Sequence, residues 1–431
     1  SAPVLVTTID HLMPATEGIR GGRQIPAMLR LMTSDLVLDE PDDFDIDDLH
    51  ALSRLVNWAG MLGSRVLLSS ATLPPALTQA LFEAYRAGRE AYQQACGEPN
   101  RPVNICCAWF DEYGAQSQDV AEGGMFQQAH ARFVAGRLKK LPQQPVLRWG
   151  KLARVEPESP DVQAVISAVA KTLHQYMPEL HHAHHSVHNS GKTVSFGLIR
   201  LANINPLVAV AQVLMTMPSP ENTCIHYCVY HGRHPLVVRS HIEARLDSAF
   251  TRHDPDSIWQ FPEVKQALES PCQHHLFVVL GTSVLEVGRD FCADWGIIEP
   301  SSMRSLIQFA GRIQRHRQLV PETENLVILN RNINALRGES IAYCKPGFET
   351  KKHAFSDHDL QTLLPASAYC AINAIPRITD ALADNAFAAQ EHTRLRAALQ
   401  ESTDKNEAIA ADWWRLPLTW CGELQRRTPF R

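Results

Sequence analysis

Long hydrophobic runs are missing from this chain. Nowhere in its 431 residues does an apolar stretch approach the ~20 residues needed to span a bilayer, which excludes an integral membrane protein. A signal peptide is missing too, because Ser1-Ala2-Pro3 leads straight into the strand-like Val4-Leu5-Val6-Thr7-Thr8. No initiator methionine stands there, which suggests a processed or truncated chain. Lysine is scarce, at 10 residues against 31 arginines. Arginine makes planar bidentate contacts to phosphate and carboxylate and lysine does not, so the bias is compatible with phosphate handling, as it is with genomic base composition. The ten cysteines include no C-x-x-C pair, so they read as reduced, buried thiols of a cytoplasmic protein rather than a disulfide framework or zinc ribbon. The net charge of −5 excludes a uniformly basic coat for nucleic acid but not a local groove. What remains is 45% apolar and 20% charged, an ordinary globular composition with length for two to four domains.

Cys224, His226 and Cys228 alternate along a strand-like segment, so all three share a face. Across four residues at ~3.3 Å each, the two cysteines would stand roughly 13 Å apart. Two ligands of one zinc cannot be that distant, and a core strand is the better reading.

Short apolar runs alternate with helical spacing. Val4–Thr8, Leu36–Leu38 and Val66–Ser69 read as buried strands, with a helix between the last two built on Ile46, Leu49, Leu52, Leu55 and Val56. This is the rhythm of a parallel sheet covered on both faces. Val103–Ala108 reads as a further strand and Phe126–Leu138 as a helix. Leu141-Pro142-Gln143-Gln144-Pro145 marks a boundary. A second series follows, with strands at Val194–Ile199, Cys224–Tyr230, Leu276–Leu280, Gly296–Ile298 and Leu326–Leu329 and helices at Leu207–Met215 and Val237–Phe250. After about Gly347 the strand signal fades, and Asp380–Glu401 reads as an amphipathic helix.

Four segments carry candidate chemistry. Leu36-Val37-Leu38 ends in Asp39-Glu40-Pro41-Asp42, at the strand edge where parallel sheets bind ligands. Asp39 there can hold Mg²⁺, directly or through water, and Glu40 can polarise the water that attacks a γ-phosphate. Val66-Leu67-Leu68-Ser69 runs into Ser70-Ala71-Thr72, whose hydroxyls can bond the neighbouring carboxylates or simply cap the helix after Pro74-Pro75. Downstream lies Gly281-Thr282-Ser283-Val284-Leu285-Glu286-Val287-Gly288-Arg289-Asp290. In it Thr282 can donate to a phosphate, Gly288 admits close backbone approach, and Asp290 can accept from a ribose hydroxyl or fix a neighbouring arginine. Last comes Gln308-Phe309-Ala310-Gly311-Arg312-Ile313-Gln314-Arg315. On a helix Arg312 and Arg315 would share a face, an arginine-finger arrangement. Each segment has an ordinary structural alternative, whether a solvated loop, a cap or a charged surface.

Their order is the informative feature. D-E, then S-A-T, then T-x-x-x-E-x-G-x-D, then Q-x-x-G-R-x-x-R resembles motifs two, three, five and six of superfamily-two helicases. The wording of Asp39-Glu40-Pro41-Asp42-Asp43-Phe44 and Glu286-x-Gly288-x-Asp290 resembles the helicase–nuclease of type I CRISPR systems, the I-F branch in particular. Thr8-Ile9-Asp10-His11 is similar to that family's DNA-side motif, and His231-Gly232-Arg233-His234 with Arg239 to its motif four. Phe309 stands where the family commonly has an arginine.

The resemblance implies an α/β fold of two RecA-like parallel-sheet domains, the first incomplete, at 1–145 and 146–346. A smaller, mostly helical or irregular segment would occupy 347–431. It implies ATP and Mg²⁺ as cofactors, with Asp39, Glu40 and Ser70 on one wall of an ATP cleft and Asp290, Arg312 and Arg315 on the other. Gly288 and Gln308 would contact nucleotide. Ser70, Ala71 and Thr72 would couple hydrolysis to movement. Thr8, Asp10, His11, His231 and Thr282 would grip single-stranded DNA. Partners implied are an RNA-guided surveillance complex, with the spacer-acquisition integrase and phage-encoded inhibitors as further candidates. An upstream nuclease domain would need a divalent transition metal.

One part of the pattern is missing. The only G-K-[ST] is Gly191-Lys192-Thr193, with Ser186 where a phosphate loop requires glycine, a His-rich loop before it and a strand after it. The expectation is that the true loop precedes Ser1, so that this chain alone does not hydrolyse ATP. Two other readings stand beside the motor: a non-hydrolysing docking module, and the motor subunit of a restriction or repair system. The histidines at 181, 182, 184, 185 and 188 read as a solvated linker, and Trp413-Trp414 as core packing or base stacking.

Overall fold

The computed structural model describes residues 3–17, 22, 24–98, 100–382 and 384–399. Trp413-Trp414 lie outside the described residues. The chain divides into two compact units. The first takes the described residues up to Gln143, then Arg377–Ala381 and the residues from His392. The second takes Gln144–Pro376 and Leu382–Glu391.

In the first unit β1 (Leu36–Asp39) and β2 (Val66–Ser69) pair in parallel, with Leu36 opposite Val66 and Asp39 opposite Ser69. The helix between them, Leu49–Met61, buries Leu49, Leu52, Leu55 and Val56, the residues whose spacing predicts it. It packs on the helix Pro75–Cys96, closely enough that a Cβ on Gly88 would lie 2.0 Å from the Asn57 carbonyl oxygen.

Three expectations fail in this unit. Val4–Thr8 forms no strand, and Val4, Leu5 and Val6 are exposed. A β-rich composition becomes a strand only beside a hydrogen-bonding neighbour, and none is present among the described residues. β1 and β2 are not covered on both faces, since Val37 is 61% and Leu67 50% exposed. The strand near Val103–Ala108 is β3 (Ile105–Asp111), and it pairs antiparallel with β4 (Gly114–Val120) in a hairpin rather than joining a parallel sheet. Phe126 of the next helix, Gly123–Lys140, stacks on Phe82 at 4.2 Å and packs against Trp109 of that hairpin.

The second unit is a seven-stranded sheet. Its strands are β5 (Gly150–Ala153), β6 (Ser186–Val187), β7 (Thr193–Arg200), β8 (Thr223–Tyr230), β9 (His274–Gly281), β10 (Trp295–Ile298) and β11 (Leu326–Leu329). The order β5-β11-β10-β7-β9-β8 is parallel throughout, and β6 adds an antiparallel turn onto β7. Both faces are buried under apolar clusters, as the mainly apolar composition of β7, β9, β10 and β11 predicts. Helices Val162–Ala183 and Ile204–Thr216 cover one face, and Leu236–Phe250 the other. Leu360, Leu363, Leu364, Ile372 and Phe387 complete the second face. The amphipathic helix expected over Asp380–Glu401 is described as Ala386–Leu399.

Candidate functional site

The parallel register sets β1 and β2 to end together, so the acidic turn and the hydroxyl turn are neighbours. The Glu40 N–H donates to the Ser69 carbonyl at 2.7 Å. Glu40 itself is left-handed, at φ 48°, a costly conformation for a non-glycine residue that persists only where the surroundings impose it. Its carboxyl is half-buried, and burial raises its pKa above the ordinary glutamate range. A hydrogen bond from Ser70 pulls the other way. Asp39 is exposed, and among the described residues nothing engages its carboxylate. An open, hard oxygen donor of this kind suits a hydrated Mg²⁺.

Thr72 is buried, and its hydroxyl donates to Asp42 Oδ2 at 2.8 Å. The Thr72 N–H is held by the Ser70 hydroxyl at 3.1 Å, and the Ala71 carbonyl accepts from Arg137 Nη1 at 2.9 Å. The hydroxyl residues therefore bond carboxylates. They do not cap the following helix, whose N-cap is Pro74 with no side-chain bond. Thr8, Asp10 and His11 are all exposed, on and beside the single turn Ile9–His11.

In the second unit three strand ends come level. Arg200 of β7 and Tyr230 of β8 both pair with Gly281 of β9. His231 and Thr282, the next residues along, are thereby brought to one edge. Both are nearly buried, and His231 stacks on His234 at 4.0 Å between ring centres. Beside them is a cavity of about 650 Å³ lined by Asn203, Asn205, Arg233, Thr282, Ser283 and Arg337, among others. The helix Ile204–Thr216 begins at this cavity, with its free N–H groups and positive dipole end there. Two arginines, hydroxyls and a helix N-terminus make an anion-accepting surface.

Sequence reasoning missed Arg200. Its side chain is 1% exposed and its Nε lies 2.5 Å from Glu286 Oε1. Its two other nitrogens reach the Glu299 carbonyl and the Ser301 hydroxyl, each at 2.9 Å. Ser305 also donates to Glu286, at 2.5 Å. Glu286 is thus fixed from one strand and one helix, and the turn through Gly288 (φ 72°) follows from it. The signal was an arginine closing an otherwise apolar strand.

The two expected finger arginines do not share a helical face. The helix Met303–Ala310 stops at Gly311, and Gln314 adopts φ 52°, so both arginines lie in turns beyond it. Arg312 points back and donates to the carbonyls of Glu286 and Arg289. Arg315, 43% exposed, reaches Asp290 at 2.9 Å. Gln308 is half-buried on the helix. Phe309 is wholly buried, and a Cβ on Gly296 would lie 2.8 Å from its ring. Arginine's usual position is here a core plug.

Asp290 also faces His316 Nε2 at 3.0 Å and His253 Nε2 at 3.9 Å. This is the one His/Asp trio with metal-ligand proximity among the described residues. His316 Nδ1, however, accepts the Arg252 N–H at 3.1 Å, which leaves the ring proton on Nε2. That nitrogen has a hydrogen to give Asp290 and no lone pair for a metal.

Two other expectations are corrected. Cys224 is disulfide-bonded to Cys272, with Cα atoms 6.1 Å apart, while Cys96, Cys106 and Cys370 are exposed rather than buried. His181 and His182 end the helix Val162–Ala183 rather than sitting in a linker. His181 is buried with one ring nitrogen on Ser195 at 2.7 Å and the other on Thr193 at 2.9 Å. Burial drops its pKa to about 3. Lys192 of the G-K-T segment donates to the Leu268 and Ser270 carbonyls.

Against known proteins, residues 193–318 match the family described as CRISPR-associated nuclease/helicase Cas3, C-terminal. All of the chain aligns, at 56% identity over 444 residues, with 40% of the CRISPR-associated nuclease/helicase Cas3 subtype I-F/YPEST of Pectobacterium atrosepticum. The chain belongs to the Cas3 family. The Pseudomonas aeruginosa protein of the same description is 50% identical over 437 residues, again 100% of this chain and 40% of that protein. The chain thus spans about 40% of the length of these curated relatives. Among solved structures, T. fusca Cas3 with ADP aligns with 75% of this chain and 32% of that one, at 20% identity and a TM-score of 0.49. The docking-module and restriction or repair readings find no support in these likenesses. No helix among the described residues is long and apolar enough to cross a membrane.

Proposed function

We propose that this chain carries the motor groups of a Cas3-type protein, an ATP-dependent translocase on single-stranded DNA. The observation that carries the reading is the 2.8 Å bond from Thr72 to Asp42. It joins the acidic turn, where hydrolysis would occur, to the S-A-T turn, which would move. In this reading Asp39 holds Mg²⁺ through water, and Glu40, as its carboxylate, orients the attacking water. The magnesium ion neutralises charge on the phosphates when bound. In the second unit Arg312, Arg315, Gln308, Gly288 and Asp290 are the groups that the motif order assigns to nucleotide. Thr8, Asp10, His11, His231 and Thr282 grip DNA phosphates. The cavity with Arg233 and Arg337 takes the backbone without regard to sequence, so affinity falls with salt. Family membership supports a surveillance complex as partner, with the integrase, phage inhibitors and nuclease action on invading DNA following from the same likeness.

The test is Glu40→Gln in the intact protein. ATP binding should persist and DNA-stimulated hydrolysis should vanish; residual turnover at the parental rate would overturn the assignment. In the parent, kcat should rise with pH through an apparent pKa above the ordinary glutamate range, because the carboxylate is the working form and burial disfavours it.

A further inference from the structure

The chain returns to the first unit at Arg377–Ala381 and brings one guanidinium to the acidic turn. Arg377 is 1% exposed, and its Nη2 lies 3.3 Å from Asp42 Oδ2. The same oxygen accepts the Thr72 hydroxyl at 2.8 Å. Asp42 is itself 4% exposed. A carboxylate that deep keeps its charge only when paired, and a charged acceptor holds a hydroxyl about twice as firmly as a neutral one. Arg377 therefore sets the strength of the Asp42–Thr72 bond, from 335 positions along the chain. On its other side the Ser70–Thr72 turn is pinned by Arg137 on the Ala71 carbonyl, so the turn has one fixed edge and one edge governed by Arg377.

We infer that Arg377 is a positioning residue of the motor. It acts through Asp42 on Thr72, and it ties the coupling turn to the chain segment Arg377–Ala381, where the chain returns to the first unit. Chemistry at Glu40 becomes displacement of Ser70–Thr72 only while that segment is seated. The inference rests on the motor reading above, and Arg377 itself touches no reacting atom.

The experiment uses the intact protein, with DNA-stimulated ATP turnover and strand separation per ATP as readouts. Arg377→Met should lower kcat about tenfold, the scale of a small misplacement next to chemistry. It should leave the KM for ATP within about twofold and reduce the base pairs opened per ATP. Arg377→Lys should recover part of the loss. Because the inference routes the effect of Arg377 on the turn through Asp42, Asp42→Asn with Arg377→Met should match Asp42→Asn alone within about twofold. The double variant removes both charges of this pair, and Arg377→Lys, which keeps the charge, carries the test of kcat and coupling if Arg377→Met fails to fold. Parental kcat and coupling in Arg377→Met, a change in KM alone, or losses that multiply in the double variant would overturn the inference. Glu40→Gln run alongside keeps the two claims apart. Turnover there overturns the motor reading, whereas an inactive Glu40→Gln beside a normal Arg377→Met overturns only the positioning role.

Discussion

Arg312 and Arg315 are three residues apart and have opposite situations. Arg312 donates to two main-chain carbonyls, at 2.9 Å from Nε and 2.5 Å from Nη1, and charged hydrogen bonds of this kind contribute ~1.5–3 kcal/mol each. Arg315 is half-exposed and, among the described residues, paired only with the half-exposed Asp290, a pairing with a stability contribution of ~0–1 kcal/mol. Urea unfolding should therefore show Arg312→Ala destabilised by about 3 kcal/mol and Arg315→Ala by less than about 1 kcal/mol. Rapid-quench ATPase should show the reverse ranking of specific effect, with Arg315→Ala slowed by about 10³ in folded protein. A near-normal rate would remove Arg315 from the finger role. The residue types of this segment were readable in the sequence. Their directions were not, because Gly311 ends the helix and Gln314 turns left-handed, and nothing in a G-R-x-x-R string specifies where helical geometry stops. Arg200 was unreadable for a related reason: its partner Glu286 lies on another strand end, and a long-range ion pair leaves no local pattern.

Among the elements, the second sheet was the most legible part of the molecule. β7 to β11 each announce themselves as apolar runs between turn residues. β5 does not, since Gly150-Lys151-Leu152-Ala153 lacks the β-branched side chains that signal a strand, and only its place beside β11 makes it one. Val4–Thr8 fails in the opposite direction, with a strand's composition and no neighbour. Packing between strands supplies a sharper test than composition. Gly197 of β7 pairs with Trp295 of β10, and a Cβ there would lie 2.1 Å from the indole ring. The indole is fully buried, with its N–H on the Ser195 hydroxyl at 3.0 Å, so it has nowhere to go. Gly197→Ala should cost about 1–3 kcal/mol by overpacking and alter the near-ultraviolet dichroism of the buried tryptophan. Unchanged stability would mean the sheet is looser than its register implies.

At the scale of the whole molecule, buried histidines set the response to acid. Burial lowers His50 and His181 to about 3 and His130 and His275 to about 4, so each unit holds two. An unfolded histidine titrates near 6.5. Between there and the folded value the unfolded chain binds more protons, and stability rises with pH across that window. Lowering the pH from about 6.5 towards 4 should cost each unit up to about 3 kcal/mol per pH unit. Denaturant midpoints at neutral and mildly acidic pH would check this, and a flat profile would refute it. The connectivity has a consequence in time as well as space. The first unit takes in residues that follow most of the second, and Asp42 precedes its guanidinium by 335 positions. At ordinary translation speeds of ~5–20 residues per second, the acidic turn emerges from the ribosome roughly 20–70 s before its countercharge exists. The first unit thus stands without that countercharge while most of the second is being made.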